Sequence, residues 1–205
     1  MTFISFEGCD YVGKSTQIKL LFDYIAKLGK KVYMTREPGG SQLAETIRSV
    51  LLNTKEIKDP LIEYLLLAAG RKDHVDRVIK PKLKESYIVL SDRFFDSSLC
   101  YQGYIKGLNI EVIKQIKALT IQNFQPTFTI LLTLSEQELL YRMNKKQREG
   151  HNTYDDKTAG FYLNVQAQFQ KIATESGDRF ISINANRSEE VLHQKIVSAL
   201  KKRKI

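Results

Sequence analysis

The segment from Gly8 to Thr16 constrains the fold of this chain more strongly than any other. It reads G-C-D-Y-V-G-K-S-T and matches the pattern G-x-x-x-x-G-K-[ST]. A short apolar alternation precedes it at residues 3–6, and a segment with helical periodicity follows it. Glycines let the backbone N–H groups of such a loop face phosphate oxygens, and the N-terminus of the next helix adds more donors. The segment therefore predicts a phosphate-binding loop between a strand and a helix.

Two side chains of this loop are expected to contact a nucleoside triphosphate and its metal. Lys14 should reach the β- and γ-phosphates, and the Ser15 hydroxyl should face Mg²⁺. The predicted nucleotide-binding residues are the whole loop: Gly8, Cys9, Asp10, Tyr11, Val12, Gly13, Lys14, Ser15 and Thr16. Nearby positive charge would lower the pKa of the Cys9 thiol, but we interpret Cys9 as a small space-filling residue. The motif does not identify the phosphate acceptor.

The composition excludes several classes of protein. With 205 residues, 42% of them hydrophobic, the chain is expected to form one domain, residues 1–205, around a packed core. Its two cysteines, Cys9 and Cys100, cannot build a disulfide framework, so we expect a protein of the reducing cytoplasm. The loop begins too close to the N-terminus to leave room for a secretory signal, and no apolar run is long enough to span a membrane.

The formal net charge of +9 suggests a nucleic-acid partner at first sight. Most of the excess, however, lies in two clusters, residues 142–149 and the tail 201–204, and not on one basic face. Because no basic stripe interleaved with aromatic residues is visible, we expect no nucleic-acid partner. A nucleotide-dependent switch or a nucleic-acid-binding ATPase remains an alternative, which predicts steeply salt-dependent binding to nucleic acid.

Apolar runs rich in β-branched and aromatic residues alternate along the chain with segments of helical periodicity. The predicted strands are residues 2–6, 31–35, 87–91, 128–133 and 180–183. The predicted helices are residues 16–28, 43–52, 61–79, 110–123, 136–145, 161–175 and 188–202. This alternation predicts an α/β fold of three layers, in which helices flank a five-stranded parallel sheet. The polar segment 145–156 is either a mobile flap or a plain surface loop.

Charged and glycine-rich segments follow three of the predicted strands, at residues 7–16, 36–40 and 92–94. Ligands of open α/β sheets bind at the carboxyl ends of the strands, so these segments should share one site. Asp92 is expected to hold Mg²⁺ directly or through water, and Arg93 to grip a phosphate with its planar guanidinium. An Asp–Arg surface pair is the alternative for these two residues.

Cations on the predicted helix 136–145 form a further candidate group. Arg142, Lys145 and Lys146 fall on one helix face, and Arg148 continues the run. A cation that closes over a triphosphate would neutralise charge during phosphoryl transfer. A solvated helix face is the alternative interpretation.

Several segments together resemble the thymidylate kinase (dTMP kinase) family, of the bacterial-like type, among the P-loop nucleoside monophosphate kinases. They are F-E-G-C-D-Y-V-G-K-S-T-Q at 6–17, T-R-E-P-G-G at 35–40, A-A-G-R at 68–71, S-D-R-F-F-D-S-S at 91–98 and Y-Q-G at 101–103. The resemblance implies a P-loop kinase fold with a short mobile lid at about 142–156. It also implies that a homodimer uses ATP and Mg²⁺ to phosphorylate dTMP to dTDP in dTTP synthesis.

The roles that the family assigns carry over to this chain by position. The implied catalytic residues are Lys14, Arg93, Asp10 and Arg148. The implied metal ligands are Ser15 and Asp92, and Arg142 lies where family members border the adenine of ATP. The implied dTMP contacts are Arg48 and Arg93 at the 5′-phosphate, Asp10 near the 3′-hydroxyl, Tyr101 under the deoxyribose, Arg71 at thymine O4, Ser98 and Gln102 at thymine, and Glu37 and Leu67.

Two positions near the implied base site depart from the family pattern. Leu67 stands where family members often stack a Phe on thymine, and Gly70 stands where an Asp is common. A P-loop kinase for another monophosphate, or for a nucleoside, is therefore the alternative function.

The phosphate loop itself lacks an Arg, because its variable positions include Tyr11 and Val12. The resemblance then implies that the catalytic cation comes from the lid. Arg148 is the first choice for this cation, and Lys145 or Lys146 is the next.

Overall fold

Five parallel strands form one sheet in the computed structural model, which describes residues 1–54, 57–148 and 157–203, without the side chains of 146–148. The strands are β1 Phe3–Glu7, β2 Val32–Arg36, β3 Ile88–Asp92, β4 Phe128–Thr133 and β5 Phe180–Asn184. Their order in the sheet is β2-β3-β1-β4-β5, and each neighbouring pair is parallel. The predicted strands and the predicted α/β class are confirmed, and the strand ends differ by at most one residue.

Nine α-helices flank the sheet within the described residues. They are α1 Lys14–Lys27, α2 Gln42–Asn53, α3 Pro60–His74, α4 Lys80–Lys84, α5 Phe95–Ser98, α6 Ile110–Thr120, α7 Glu136–Arg148, α8 Ala159–Glu175 and α9 Glu189–Lys202. Shorter helical turns are π-helical at Val75–Ile79 and Leu99–Ile105, and 3₁₀ at Gly177–Arg179. None of the helices in the part of the chain that the structure describes is long and apolar enough to cross a membrane.

The sequence prediction missed the helical segment 95–105 and the break within the predicted helix 61–79. Six residues of the 95–105 segment are buried, three of them polar, so no single apolar stripe marks it as a helix. The helix that starts at Pro60 ends as an α-helix at His74, passes through the π-helical turn and continues as α4. Pro81 lies in the first turn of α4, directly after the π-helical turn.

The hydrophobic core has one part on each face of the sheet. Every residue of the central strand β1 is buried, and alternate side chains face opposite sides. Ile4 and Phe6 pack in a cluster with residues of α1, α8 and α9. Phe3 packs in a second cluster with residues of α3 and α6. The two clusters give the three-layered arrangement that the sequence predicts.

Side-chain caps fix where several helices begin, but α1 begins differently. The Ser41 hydroxyl accepts from the backbone N–H of Ala44 at the start of α2, and Thr158 and Ser188 cap α8 and α9 in the same way. Gly13, with a φ of 90°, precedes α1, and no described side chain caps that helix. The first N–H groups of α1 are therefore available to an anion.

A buried ion pair ties α5 to the turn before β5. Arg179 donates from Nη1 and Nη2 to the two carboxylate oxygens of Asp96, at 2.7 and 2.8 Å. Nη1 also donates to the hydroxyl of Thr129 on β4, at 2.7 Å. The Asp96 side chain is 1% exposed and that of Arg179 is 16% exposed, so water screens this pair only weakly.

We predict that Asp96→Ala lowers the free energy of unfolding by about 3 kcal/mol, because it leaves the largely buried guanidinium of Arg179 without its partner. Urea denaturation followed by circular dichroism measures this loss. The matched control is Glu111→Ala, which breaks an exposed pair with Lys114 and should cost less than about 1 kcal/mol. Equal losses in the two variants would contradict the prediction.

Candidate active site

The loop between β1 and α1 has the backbone shape that a phosphate-binding loop requires. Gly8, Tyr11 and Gly13 have φ values of 134°, 69° and 90°. A Cβ atom on Gly8 would lie 2.5 Å from the carbonyl oxygen of Leu132, so a side chain does not fit there. Tyr11 adopts a conformation that glycine takes more easily. Its ring packs edge-on against Tyr162 of α8, with the ring centroids 5.3 Å apart.

Lys14, predicted as the residue that holds the triphosphate, lies folded against this loop. Its Nζ donates to the carbonyl oxygens of Gly8 and Cys9, at 3.0 and 2.8 Å. Burial, together with the charge of Arg93, lowers the pKa of Lys14 to about 8. Because phosphate groups favour the charged ammonium, a bound triphosphate would raise that pKa again.

Ser15 and Asp92, the predicted metal ligands, are in direct contact. The Ser15 hydroxyl donates to Oδ2 of Asp92, the last residue of β3, at 3.1 Å. Mg²⁺ binds oxygen ligands and usually takes only one or two from the protein, with phosphates and water completing its shell. Nowhere in residues 1–54, 57–148 and 157–203 do three His, Cys, Asp or Glu side chains converge as a metal site. The pair therefore suits a Mg²⁺ ion that a nucleotide helps to hold.

Arg93 and Asp10 join the turn after β3 to the phosphate loop. Arg93 Nη2 donates to Asp10 Oδ1 at 2.8 Å, and Nη1 donates to the carbonyl oxygen of Gly8 at 3.2 Å. Burial alone would raise the pKa of Asp10, but the charges of Arg93 and Lys14 outweigh it and hold that pKa below its usual value. Asp10 therefore stays ionised at neutral pH and fixes the guanidinium at the edge of the sheet.

Sequence reasoning missed a buried carboxyl group beneath Arg93. Glu7, the last residue of β1, accepts from the Phe94 backbone N–H at 2.8 Å and from the Ser97 hydroxyl at 2.6 Å. Ser97 in turn accepts from Arg93 Nη1 at 3.3 Å. Burial, reinforced by the charge of Asp96, raises the pKa of Glu7 to about 8. The signal that could have revealed it is a carboxyl residue at the end of a largely apolar strand.

Three of the predicted acceptor-binding residues form one buried cluster. Arg71 Nε donates to Glu37 Oε2 at 2.6 Å, and its Nη2 donates to the Ser98 hydroxyl at 3.0 Å. The guanidinium also lies over the ring of Phe94, 5.5 Å from the centroid. His74, which sequence reasoning missed, extends the cluster by contacting Glu37. The spacing of three residues between Arg71 and His74 on α3 could have suggested that they share a helix face.

Arg48 and Leu67 both lie beside the loop after β2, which carries Glu37 and Pro38. Arg48 Nη1 donates to the carbonyl oxygen of Pro38 at 2.9 Å. Leu67 lines a small void together with Glu37 and Arg71. Glu37 also lines the cavity of about 760 Å³ beside the phosphate loop, so the two spaces share this residue.

Tyr101 and Gln102 lie on the π-helical turn after α5. The ring of Tyr101 packs under the guanidinium of Arg93, whose central carbon is 5.2 Å from the ring centroid. Gln102 Nε2 donates to Oε1 of Glu63 on α3, at 3.2 Å. Tyr101 is thus next to the predicted phosphate-binding Arg, whereas the Gln102 amide bridges two helices.

Arg142 on α7 contacts the phosphate loop at Tyr11. It donates to three oxygens: Oε1 of Glu138 at 2.7 Å, the carbonyl of Tyr11 at 3.2 Å and the carbonyl of Ala185 at 2.8 Å. These bonds hold its guanidinium next to the loop, where adenine is expected.

The predicted lid falls partly outside the described residues. Lys145 lines the cavity beside the phosphate loop. Arg148 is the last residue of α7, but its side chain and that of Lys146 lie outside the described part of the chain, as do residues 149–156.

One cavity of about 760 Å³ connects the phosphate loop with the Asp92–Arg93 turn, whereas Arg71, Ser98, Tyr101 and Gln102 are not among the residues that line it. It runs along the loop residues 10–16 to Asp92 and Arg93, with Arg142 and Lys145 on one side and Glu37 and Arg48 on the other. This volume is within the range of sites that bind small molecules. Lys14, Arg93 and Arg48 give the cavity a positive lining suited to phosphate groups.

Cys9 and Val12 are buried beneath the loop and pack in the core. Burial raises the pKa of Cys9 to about 11, so the thiol stays protonated at neutral pH. This agrees with its interpretation as a space-filling residue.

Comparisons with known proteins agree on one family. The family model described as thymidylate kinase matches residues 6–196. The chain is 41% identical to a thymidylate kinase from Mycoplasma mobile, with 98% of each chain covered. It is 36% identical to a thymidylate kinase from Sulfurihydrogenibium sp., over 99% of this chain and 98% of the relative.

A solved structure supports the same assignment at the level of the fold. The crystal structure of thymidylate kinase from Ehrlichia chaffeensis superposes with a TM-score of 0.77, at 32% identity and 98% coverage of both chains. Both the full-length matches and the phosphate-loop site described above lead to one conclusion: the chain belongs to the thymidylate kinase family of nucleoside monophosphate kinases.

Proposed function

We propose that this chain transfers the γ-phosphoryl group of ATP to the 5′-phosphate of dTMP and so forms dTDP. One observation carries the proposal: the cavity next to Lys14 of the phosphate loop is also lined by Arg93 and Arg48. A donor and an acceptor phosphate can therefore bind within one cavity. Family membership supplies the identity of the acceptor.

The chemistry needs positioning and charge neutralisation more than it needs a base. A dTMP phosphate oxygen is already ionised, so it can attack the γ-phosphorus in line without losing a proton. Lys14 and the free N–H groups of α1 hold the donor, with Arg142 at the adenine. Arg93 and Arg48 hold the acceptor phosphate, while Asp10 stays ionised near the sugar.

The buried cluster beyond Glu37 suits recognition of the acceptor base. Arg71 offers a hydrogen-bond donor for thymine O4. Its Nη2 lies 3.0 Å from the hydroxyl oxygen of Ser98. Leu67, Tyr101 and Gln102 complete the proposed acceptor site around the base and the deoxyribose.

Mg²⁺ fits the pair formed by the Ser15 hydroxyl and the Asp92 carboxylate, which would hold it on the donor side of the cavity. When bound, the ion neutralises charge on the β- and γ-phosphate oxygens.

We also propose one domain, residues 1–205, with a lid at about 142–156, that forms a homodimer in the cytoplasm. Exposed apolar side chains support a dimer: Leu43 and Val50 on α2, and Ile62 and Leu65 on α3. Because α2 and α3 pack together, these side chains offer a surface for a second copy. Sedimentation equilibrium tests this, since a monomer at micromolar concentration would contradict it.

A coupled ADP-release assay with ATP, Mg²⁺ and one acceptor at a time tests the proposed reaction. We expect the highest kcat/KM with dTMP among dTMP, dUMP, dCMP, dGMP and thymidine. A preference for thymidine or for another monophosphate would favour a different P-loop kinase. ADP release without any acceptor would instead favour an ATPase or a nucleotide-dependent switch.

We predict that the Kd for ATP rises with pH because the free protein loses the Lys14 charge above pH 8. If only the ammonium form binds, a pKa of about 8 makes the Kd about tenfold higher at pH 9 than at pH 7. Isothermal titration calorimetry at several pH values measures this change. Lys14→Arg, whose side chain stays charged, should lack the rise, and an equal rise in both proteins would refute the assignment.

We predict that Arg148→Ala lowers kcat by about 100-fold while the KM for dTMP changes little, because a lid cation neutralises charge mainly in the transition state. Steady-state kinetics separate the two constants. Lys145→Ala serves as the comparison, since Lys145 lines the cavity. A larger loss of kcat in Lys145→Ala would assign the role to that residue instead.

A further inference from the structure

A chain of buried polar side chains, here called the Thr35 relay, runs behind the proposed base site. It consists of Thr35 on β2, His74 at the end of α3, Glu37 and Arg71. Thr35 Oγ1 is 2.7 Å from His74 Nε2, and His74 Nδ1 is 3.1 Å from Glu37 Oε1. The other Glu37 oxygen accepts from Arg71 Nε at 2.6 Å. Four side chains, from β2, the loop after it and α3, thus connect end to end.

With a neutral His74, the chemistry of these groups sets the direction of each hydrogen bond. Glu37, paired with the Arg71 guanidinium, is a carboxylate and only accepts, so His74 Nδ1 carries the hydrogen. In a neutral imidazole, Nε2 is then the acceptor, and the Thr35 hydroxyl donates to it. Thr35 therefore holds His74 in the tautomer that donates to Glu37.

The relay is enclosed by protein, so the loss of any one of its hydrogen bonds is costly in free energy. His74 is fully buried, and Glu37 and Arg71 are each 5% exposed. Gly40 closes the loop over it: a Cβ atom there would lie 2.3 Å from His74 Nε2 and 2.5 Å from Thr35 Oγ1. Water cannot readily replace a lost partner at such a place, so an unpaired group carries its full desolvation cost.

The far end of the relay is the guanidinium of Arg71. Glu37 accepts from its Nε, and Ser98 and the Phe94 carbonyl accept from its Nη2. No hydrogen bond to the described residues occupies Nη1. Arg71 also lines the small void that shares Glu37 with the cavity. The relay thus fixes the orientation of a guanidinium that retains one donor nitrogen for a ligand.

We propose that Thr35 and His74 are positioning residues, which act through Glu37 to hold Arg71 as a fixed donor for the acceptor base. The inference rests on the proposed function, because it takes Arg71 as the residue that meets the base. A fixed donor can donate a hydrogen bond to the oxo group at position 4 of thymine. It disfavours the amino group of cytosine, which is itself a donor. The relay is therefore expected to contribute to discrimination between dTMP and dCMP.

The test compares two variants of Thr35 that differ in one hydroxyl. Thr35→Val removes the donor to His74 at nearly constant volume, whereas Thr35→Ser keeps it. We expect Thr35→Val to lower the ratio of kcat/KM for dTMP to that for dCMP about 5- to 10-fold, the value of one hydrogen bond. The KM for ATP should stay within about twofold of its original value, since the relay does not touch the phosphate loop. Thr35→Ser should retain the original ratio.

His74→Gln provides a second variant should Thr35→Val fail to fold. Its amide can still meet Thr35 but withdraws the donor from Glu37, so the dTMP to dCMP ratio should fall as well. Thermal melting of each variant separates stability from specificity. A lower Tm with an unchanged ratio in the folded variants would overturn the inference and leave the relay a purely structural role.

The Arg71→Lys background distinguishes a failure of the relay from a failure of the proposed function. Arg71→Lys should itself lower the ratio, and Thr35→Val should then add no further loss, because both act through one guanidinium. Additive losses would overturn the relay and leave Arg71 as the base contact. An unchanged ratio in Arg71→Lys would overturn Arg71 as the base contact and the inference with it. No dTMP phosphorylation by the unaltered protein would overturn the proposed function instead.

Discussion

The parallel pairing of β3 with β1 and with β2 is the constraint on which the whole site depends. The pairing places Phe6 opposite Asp92 and Arg36 opposite Asp92, so three strands end at one level. Two backbone hydrogen bonds continue this pairing beyond the strands. Arg93 N–H donates to the Phe6 carbonyl and Glu37 N–H donates to the Asp92 carbonyl, both at 2.9 Å. The phosphate loop, the Ser15–Asp92 pair and the loop that carries Glu37 meet at one edge because the backbone of the sheet brings them there.

A high density of buried ionisable groups follows from that convergence. Glu7, Lys14, Glu37 and Arg71 all lose most of their water, and this costs free energy that the packed layers of the fold must supply. In return, the hydrogen-bonding groups are already oriented before a substrate arrives, so little reorganisation is left for the reaction. The raised pKa of Glu7 and the lowered pKa of Lys14 are both signs of the same loss of water.

Local patterns in the sequence predict the sheet and the shape of the phosphate loop well, and the buried contacts around them poorly. Strands such as residues 128–133 and the loop from Gly8 to Thr16 depend on short segments whose residue types and spacing are sufficient. The buried contacts are different: Glu7 and Ser97 are 90 residues apart, and Glu37 and His74 are 37 apart. No periodicity encodes such pairs, because they form only once the strands have been placed side by side.

Tyr11 shows that the shape of the phosphate loop is not a local property of its nine residues. A residue with a side chain in the left-handed region is less stable by roughly 1–2 kcal/mol than in its usual conformation. Contacts from outside the loop offset that cost here, namely Tyr162 from α8 and Arg142 from α7. This segment would consequently lose its geometry if it were transplanted alone into another protein. The two supports differ in kind: the bond from Arg142 reaches the backbone carbonyl and would survive a change of residue 11, whereas the contact with Tyr162 needs the aromatic ring.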